Sequence, residues 1–188
     1  RTVRLDMKIL KQTWTWAEDR SVPLPRVAWR RVKVRVVNNE WVNNHKTPSH
    51  AEVERVYRSL TPRSKLALGL YVGWMTGARV SELTWACWSD IVEDGDGWWI
   101  WLDGKTGLRR FPLREEEARV ILSHRQGAKE DDPLIGGYFA QNGSVSLKVA
   151  CERVGVEPFT FHGLRRLMTD TCLRRRVEIG TYAKLLGH

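Results

Sequence analysis

The stretch from Leu66 to Met75 constrains the fold most strongly, because it is apolar on nearly every side of a helix. A helix that is hydrophobic all round has to be buried. The stretch ends at Thr76-Gly77, where glycine favours a helix stop. We predict that the helix starts at Thr61-Pro62, since proline suits the first helical turn. The sequence thus indicates a central helix around which the rest of the chain packs.

Further helices are predicted on both sides of this one. In Thr47 to Glu52, Ser49 can cap a helix and Glu52, three residues later, can complete a capping box. Helical periodicity returns after the middle of the chain, over Arg114 to Gln126 and over Ser144 to Val154.

The middle of the chain favours strands. Trp98 to Leu102 and Leu108 to Leu113 flank a glycine-bounded turn, Asp103 to Gly107, and a strand-rich section starts at Trp88 to Val92. Such runs around a short turn predict a three-stranded antiparallel sheet. The order of helices, small sheet and helices predicts an α+β fold that is mostly helical.

Tryptophan is frequent in this chain, and Trp98, Trp99 and Trp101 cluster in one predicted strand. Aromatic side chains bury large areas, so we interpret the cluster as core or interdomain packing. Stacking on nucleic-acid bases is the less favoured alternative.

The first residues form a separate predicted unit. Apolar residues from Val3 to Ala17 recur at helical spacing, and the pattern ends near Glu18-Asp19. The following residues are basic, β-branched and rich in proline and asparagine, which is typical of an extended linker. We therefore predict a helix in residues 1–19, a linker in 20–46 and one larger domain in 47–188.

The charge balance indicates a polyanionic partner. Lys and Arg number 31 against 22 Asp and Glu, which gives a formal charge of +9. Both ends are basic: residues 1–36 hold 10 basic and 3 acidic residues, so +7, and residues 161–188 hold 6 and 2, so +4. This pattern favours nucleic acid over an anionic membrane surface.

Other sequence features exclude several classes of protein. No apolar run reaches the roughly 20 residues that a membrane span needs, and no signal peptide is recognisable. The three cysteines are far apart, which favours neither a disulfide framework nor a zinc site. We expect a soluble, cytoplasmic protein without a metal or cofactor.

The C-terminal stretch carries the candidate chemistry. A helix over Phe161 to Arg174 would place His162, Arg165 and Arg166 on one side, opposite a packing face. Arginine forks and an imidazole that point the same way can cradle a phosphate. A solvated basic face is the plain alternative. A last helical run then leads to Gly187-His188, where glycine suits a helix C-cap.

Four separated motifs resemble the signature boxes of the tyrosine recombinases, the phage-integrase family, in order and approximate spacing. They are Thr76 to Leu83 (TGARVSEL), Gly104 to Gly107 (GKTG), His162 to Arg166 (HGLRR) and Leu185 to His188 (LLGH). The resemblance covers residues 46–188 and implies an integrase-type catalytic domain. Residues 1–19 similarly resemble the last helix of the family's DNA-clamping domain.

The resemblance also implies a set of site residues. Glu82 matches an acidic position that supports the first arginine from behind. We expect DNA contacts from a further group of basic residues: Arg30, Arg31, Lys33, Arg35, Arg109 and Arg166. The positions that match the family's catalytic residues are Arg79, Lys105, His162, Arg165 and His188.

The implied activity is site-specific DNA recombination or integration through a 3′-phosphotyrosyl intermediate, without a metal. In the family the attacking tyrosine follows the Gly-His box, and nothing follows His188 here. Tyr57, Tyr71 and Tyr138 lie in unrelated elements, and Tyr182 lies on an apolar stripe. We therefore expect a fragment, without its initial methionine and without its nucleophile, that does not cleave DNA by itself.

The resemblance leaves some points open. Gly163 and Arg166 stand where the family commonly has aspartate and histidine.

The complete protein is expected to act on double-stranded DNA as a tetramer on two duplexes, in a prokaryote or a phage, and the fragment is expected to be monomeric. The alternatives are a type IB topoisomerase that relaxes DNA and a non-catalytic DNA-binding accessory protein.

Overall fold

The computed structural model describes residues 13, 17, 19–21, 46–105 and 107–187, without the side chains of 138, 140 and 141. The chain divides into two compact units, Arg1–Glu40 and Trp41–His188. In the first unit Thr13 and Ala17 are helical and residues 19–21 form a turn. The rest of the predicted N-terminal helix and nearly all of the linker lie outside the described residues. The boundaries 1–19, 20–46 and 47–188 stay predictions.

The second unit has the predicted order of helices, sheet and helices, so the α+β fold class is confirmed. No helix in the described part of the chain is long and apolar enough to cross a membrane. The elements are α1 (His50–Ser59), α2 (Lys65–Thr76), α3 (Val80–Trp85), a 3₁₀ turn (Trp88–Asp90), β1 (Ile91–Asp94), β2 (Gly97–Gly104), β3 (Gly107–Leu113), α4 (Glu115–Leu122), α5 (Gly137–Arg153), α6 (Phe161–Arg174) and α7 (Ile179–Leu186).

Helix α2 is the central helix that the sequence predicts, and most of its residues are buried. Its predicted start at Thr61-Pro62 was wrong. The Ser64 hydroxyl accepts a hydrogen bond from the Ala67 N–H at 3.1 Å and caps the helix there. Its predicted end is confirmed, because Gly77 closes α2 in the left-handed region at φ 61°.

Helix α1 begins with the predicted capping box. The Ser49 hydroxyl accepts from the Glu52 N–H at 3.2 Å, and the Ser49 N–H donates to Glu52 Oε2 at 2.7 Å. Lys46 pairs with the other Glu52 oxygen at 2.5 Å. That ammonium, together with the Ser49 N–H, lowers the pKa of the Glu52 carboxyl to about 2.

A hydrogen-bonded histidine joins three helices. Trp74 of α2 donates its indole N–H to His50 Nδ1 at 2.9 Å, so the ring proton lies on Nε2. That nitrogen is 2.9 Å from the hydroxyl oxygen of Thr171 on α6, which donates in turn to the Leu167 carbonyl at 2.7 Å. The network fixes the positions of α1, α2 and α6 relative to one another.

The three strands pair antiparallel in the order β1-β2-β3, as predicted. The hairpin is tighter than predicted, because β2 continues to Gly104 and β3 begins at Gly107. Ile100 and Phe111 are paired and face the core. Trp98 packs against the core, whereas the Trp99 ring carries the Arg110 guanidinium at 4.1 Å. The packing interpretation therefore holds for Trp98.

The helices after the sheet differ from their predicted lengths. Helix α4 stops at Leu122, four residues before the predicted end, and α5 starts at Gly137, seven residues before the predicted start. Phe139 explains the longer α5: it is buried edge-to-face on Phe161 at 4.9 Å and lies directly over Gly69 of α2. This tertiary contact outweighs the weak helix propensity of the segment.

Helix α6 has the predicted boundaries. Gly163 in its first turn lies against residues 46–48, the segment that leads into α1. A Cβ at this position would collide with the Lys46 carbonyl oxygen and would lie 3.2 Å from Pro48 Cδ. A larger side chain at this position would therefore displace residues 46–48. Glycine here permits the close approach of backbone to helix.

We predict that Gly163→Ala lowers the free energy of unfolding by about 1–3 kcal/mol, because the added methyl overpacks a backbone contact. Gly180→Ala in the first turn of α7 is the matched control: among the described residues, the nearest atom to a Cβ added there is a Glu178 side-chain oxygen at 3.7 Å. That change should raise the stability by about 0.5–1 kcal/mol through helix propensity. Urea denaturation of the three proteins measures both effects, and equal effects at the two glycines would contradict the close approach.

Candidate active site

The first part of the site is the short helix α3, which follows the end of α2 at Gly77. Arg79 is the N-cap residue of α3, and Glu82 is the third residue of that helix. The carboxylate therefore reaches back: Oε2 accepts from the Arg79 N–H at 3.0 Å and Oε1 from the Arg79 guanidinium at 2.6 Å. The Glu82 side chain is 1% exposed and that of Arg79 is 31% exposed. The carboxylate thus holds the arginine from the inner side.

A second arginine reaches the same carboxylate from the sheet. Arg109 on β3 donates to Glu82 Oε2 at 2.7 Å, and its side chain is 8% exposed. The hairpin also contacts this group next to its turn, since a Cβ on Gly104 would lie 2.6 Å from Glu82 Oε1. Glu82 therefore connects the hairpin that carries Lys105 with the helix that carries Arg79.

A third arginine comes from α6. Arg165 is 6% exposed, and its guanidinium donates to the Gly77 carbonyl at 3.1 Å and to the Leu186 carbonyl. Gly77 lies two residues before Arg79, so the two arginines reach the same corner of the fold. This corner is where α2 ends and α3 begins.

The three arginines meet at the end of the last helix. Three consecutive carbonyls of α7 and its cap each accept from one guanidinium: Leu185 from Arg109, Leu186 from Arg165, and Gly187 from Arg79 at 3.2 Å. The last carbonyls of a helix lack partners within the helix and carry partial negative charge. The helix end therefore binds and orients all three cations.

Burial and charge shape the electrostatics of this cluster. Burial alone would raise the pKa of the Glu82 carboxyl, but the Arg79 N–H, the Arg79 guanidinium and the charge of Arg109 together hold it below its ordinary value. Burial and then the Arg79 charge lower the pKa of the Arg165 guanidinium to about 10. Arg165 still carries its charge at neutral pH, so three cations face one carboxylate.

This excess of positive charge suits an anion more than a metal ion. A group that adds negative charge beside Arg79 and Arg165 would relieve the repulsion between the two guanidiniums. Planar guanidinium forks match phosphate oxygens particularly well. Among the described residues, no three His, Cys, Asp or Glu side chains form a group that could hold a metal ion. The chemistry that the cluster favours is phosphate binding.

The other predicted site residues lie around the cluster or outside the described chain. Lys105 is exposed in the turn of the hairpin, and His162 and Arg166 are exposed on α6. Arg165 differs from these two in exposure, because its guanidinium is buried beneath the end of α7. The predicted sharing of one face by the three residues stays a prediction. Several residues lie outside the described part of the chain: Arg30, Arg31, Lys33, Arg35 and His188.

Arg109 has a position that the sequence analysis missed. We predicted a DNA contact at this residue, but its guanidinium is enclosed by Glu82 and the end of α7. A sequence signal for burial exists: Arg109 lies on the same face of β3 as Phe111 and Leu113, which are buried. The alternation of a half-buried strand therefore places the arginine inward.

Comparisons with known proteins agree with this architecture. The sequence matches no protein-family model and no curated protein. The structure is similar to a lambda integrase tetramer bound to a Holliday junction, with a TM-score of 0.65 and 20% identity over 98% of this chain and 57% of that one. XerA recombinase is similar over 78% of this chain and 56% of its own, with a TM-score of 0.64 and 20% identity.

The lambda integrase catalytic core matches 76% of this chain and 91% of that one, with a TM-score of 0.60 and 23% identity. The fold is that of an integrase catalytic domain. The chain spans a little over half of the XerA recombinase chain and of the integrase chain in the tetramer, at 56% and 57%. The similarity to the integrase fold that the motifs imply is therefore confirmed, while the roles of individual residues stay predictions.

We predict that Glu82→Gln lowers the free energy of unfolding by about 3 kcal/mol, because it leaves two guanidiniums without their carboxylate partner. Glu115→Gln, which removes an exposed pair with Arg119, is the control and should change the stability little. Chemical denaturation at neutral pH measures both. Equal effects would mean that the Glu82 carboxylate does not hold the arginines.

The pH dependence of stability, compared between the wild type and Glu82→Gln, tests the charge of the Glu82 carboxylate. A carboxyl whose pKa in the folded state lies below the ordinary 4.5 stabilises the protein above that value. The contribution is lost as the pH falls through the lowered value. The wild type should therefore lose stability more steeply in acid than Glu82→Gln does, and parallel curves would contradict the shift.

Proposed function

We propose that the protein to which this chain belongs is a tyrosine recombinase that breaks and rejoins DNA at specific sites. The observation that carries the proposal is the convergence of Arg79, Arg165 and Glu82 at one corner of an integrase-type fold. The net charge of +9 supports a DNA partner. Among the solved structures of similar fold is an integrase tetramer bound to a Holliday junction, which supports DNA as the substrate.

In the proposed reaction a tyrosine oxygen attacks the scissile phosphorus and forms a 3′-phosphotyrosyl bond, while the bond to the 5′ oxygen breaks. Arg79 and Arg165 would bind the two non-bridging oxygens, on which negative charge accumulates. Fixed donors of this kind each contribute on the order of 3 kcal/mol to transition-state stabilisation. Charge neutralisation by two arginines is a role that a metal ion fills in other phosphoryl-transfer enzymes.

Proton transfers would use the remaining predicted residues. Lys105 in the hairpin turn would donate a proton to the leaving 5′ oxygen, which then departs as a hydroxyl. His162 and His188 would orient phosphate oxygens or take the proton of the tyrosine. Rejoining would use the same groups in reverse: the 5′ hydroxyl attacks, and the tyrosine leaves with a proton.

The attacking tyrosine is proposed to follow His188 in the complete protein. Burial raises the pKa of Tyr57 and of Tyr71, which stack with ring centres 5.4 Å apart, and this disfavours the phenolate that attacks. Tyr182 is half-buried on α7, before the Gly-His box. We propose further that this chain alone is monomeric and does not cleave, and that the complete protein acts as a tetramer on two duplexes.

The first test uses the protein at its full natural length, with a nicked suicide duplex that carries its attachment site, in EDTA. We expect a covalent protein–DNA adduct in a denaturing gel. Arg79→Ala and Arg165→Ala should each reduce the rate of adduct formation by about 10²–10³. Duplex affinity should remain close to that of the wild type, because many other basic residues contact the backbone.

Arg119→Ala, which removes an exposed arginine on α4, is the matched control and should leave the adduct rate unchanged. Salt-sensitive DNA binding without an adduct would favour the non-catalytic DNA-binding alternative. Relaxation of plasmid that lacks an attachment site would favour the topoisomerase alternative. Equal loss of binding and cleavage in the two arginine variants would count against their proposed role.

A further inference from the structure

Arg109 is enclosed by protein acceptors on two sides. One terminal nitrogen donates to Glu82 Oε2 at 2.7 Å, and the other donates to the Leu185 carbonyl. Its Nε is buried and has no hydrogen-bond partner among the described residues. Each terminal nitrogen donates to a protein acceptor and the side chain is 8% exposed, so the guanidinium is poorly placed to reach a DNA phosphate.

The partner of Arg109 is the carboxylate that orients Arg79. Arg109 donates to Oε2 and the Arg79 guanidinium donates to Oε1, so the two cations bind different oxygens of the Glu82 carboxylate. Oε2 also accepts from the Arg79 N–H at 3.0 Å. Loss of Arg109 would remove the charged donor on Oε2 and allow the carboxylate to rotate. The Arg79 guanidinium would then lose its fixed position.

Arg109 also ties the sheet to the end of the last helix. The same guanidinium that holds Oε2 donates to Leu185, whereas Arg79 donates to Gly187, two residues further on. The hairpin strand, the buried carboxylate and the helix end are therefore joined through one planar group. The fork geometry of arginine matters here, because two separate nitrogens of one planar group donate to the two acceptors, whereas a lysine would offer a single nitrogen.

We infer that Arg109 is a positioning residue of the reaction: it holds Glu82 and the end of α7 so that Arg79 is aimed at the scissile phosphate. The inference rests on the proposed function and adds a residue to it. Arg109 does not contact the substrate. Its effect on the reaction passes through Glu82 to Arg79.

The test compares Arg109→Met with Arg110→Met in the full-length protein. Arg110 is the neighbour on the same strand, with a side chain that is 46% exposed and stacked on Trp99. Single-turnover cleavage of the suicide duplex at saturating protein reports only the bound complex, so partial unfolding does not enter the rate. Arg109→Met should slow this step by about 100-fold, as for a misplaced catalytic group. Arg110→Met should leave it unchanged.

Two further measurements separate positioning from other roles. Duplex affinity and its salt dependence should stay at wild-type values in Arg109→Met, because no phosphate contact is lost. In the Arg79→Ala background, Arg109→Met should cause little additional slowing, since its effect passes through Arg79. If Arg109→Met does not fold, Arg109→Lys replaces it. That variant keeps the charge without the fork and should cleave more slowly than the wild type with unchanged affinity.

Three results would overturn the inference. Weaker binding with a smaller salt dependence and a normal cleavage step would make Arg109 a DNA contact. Slowing that multiplies with that of Arg79→Ala would show that Arg109 acts independently of Arg79. A wild-type cleavage rate in Arg109→Lys would exclude the requirement for the fork. If the wild type itself forms no adduct, the proposed function fails, and this inference fails with it.

Discussion

The buried carboxylate of Glu82 is the interaction on which the site depends. A carboxylate that is 1% exposed is stable only when it is paired and hydrogen-bonded. Arg79 and Arg109 supply both requirements from two different elements, and Gly104 leaves room for the oxygen beside the hairpin turn. Removing either arginine would leave the carboxylate under-compensated, so burial of this one group fixes α3 and the sheet relative to each other.

The end of the last helix supplies the second half of the arrangement. Its three final carbonyls each accept a hydrogen bond from one guanidinium, so three like charges lie close together. Two of these guanidinium side chains, Arg109 and Arg165, are almost fully buried. Helix-end carbonyls are well suited to this, because their partial negative charge is built into the backbone. The cluster nevertheless keeps a positive excess, because three guanidiniums surround the single Glu82 carboxylate. That uncompensated charge favours the binding of an anion such as a phosphate.

Local rules predicted much of the fold, and long-range contacts account for what they missed. The glycine stops at Gly77 and Gly187, the capping box at Ser49 and the boundaries of α6 depend on neighbouring residues and could be read from the sequence. The early start of α5 could not, because it depends on Phe139 packing over Gly69. The i, i+3 spacing of Arg79 and Glu82 was visible in the motif. The pairing of Glu82 with Arg109, 27 residues away, was not, since nothing local specifies a partner at that separation.

The most direct test of this account is a crystal structure of the full-length protein bound to its attachment-site duplex. We predict that the two non-bridging oxygens of the scissile phosphate accept hydrogen bonds from Arg79 and Arg165, while Glu82 remains paired with Arg79 and Arg109. A duplex whose nearest backbone phosphate lies on other basic residues, with Arg79 and Arg165 still bound only to protein acceptors, would contradict it.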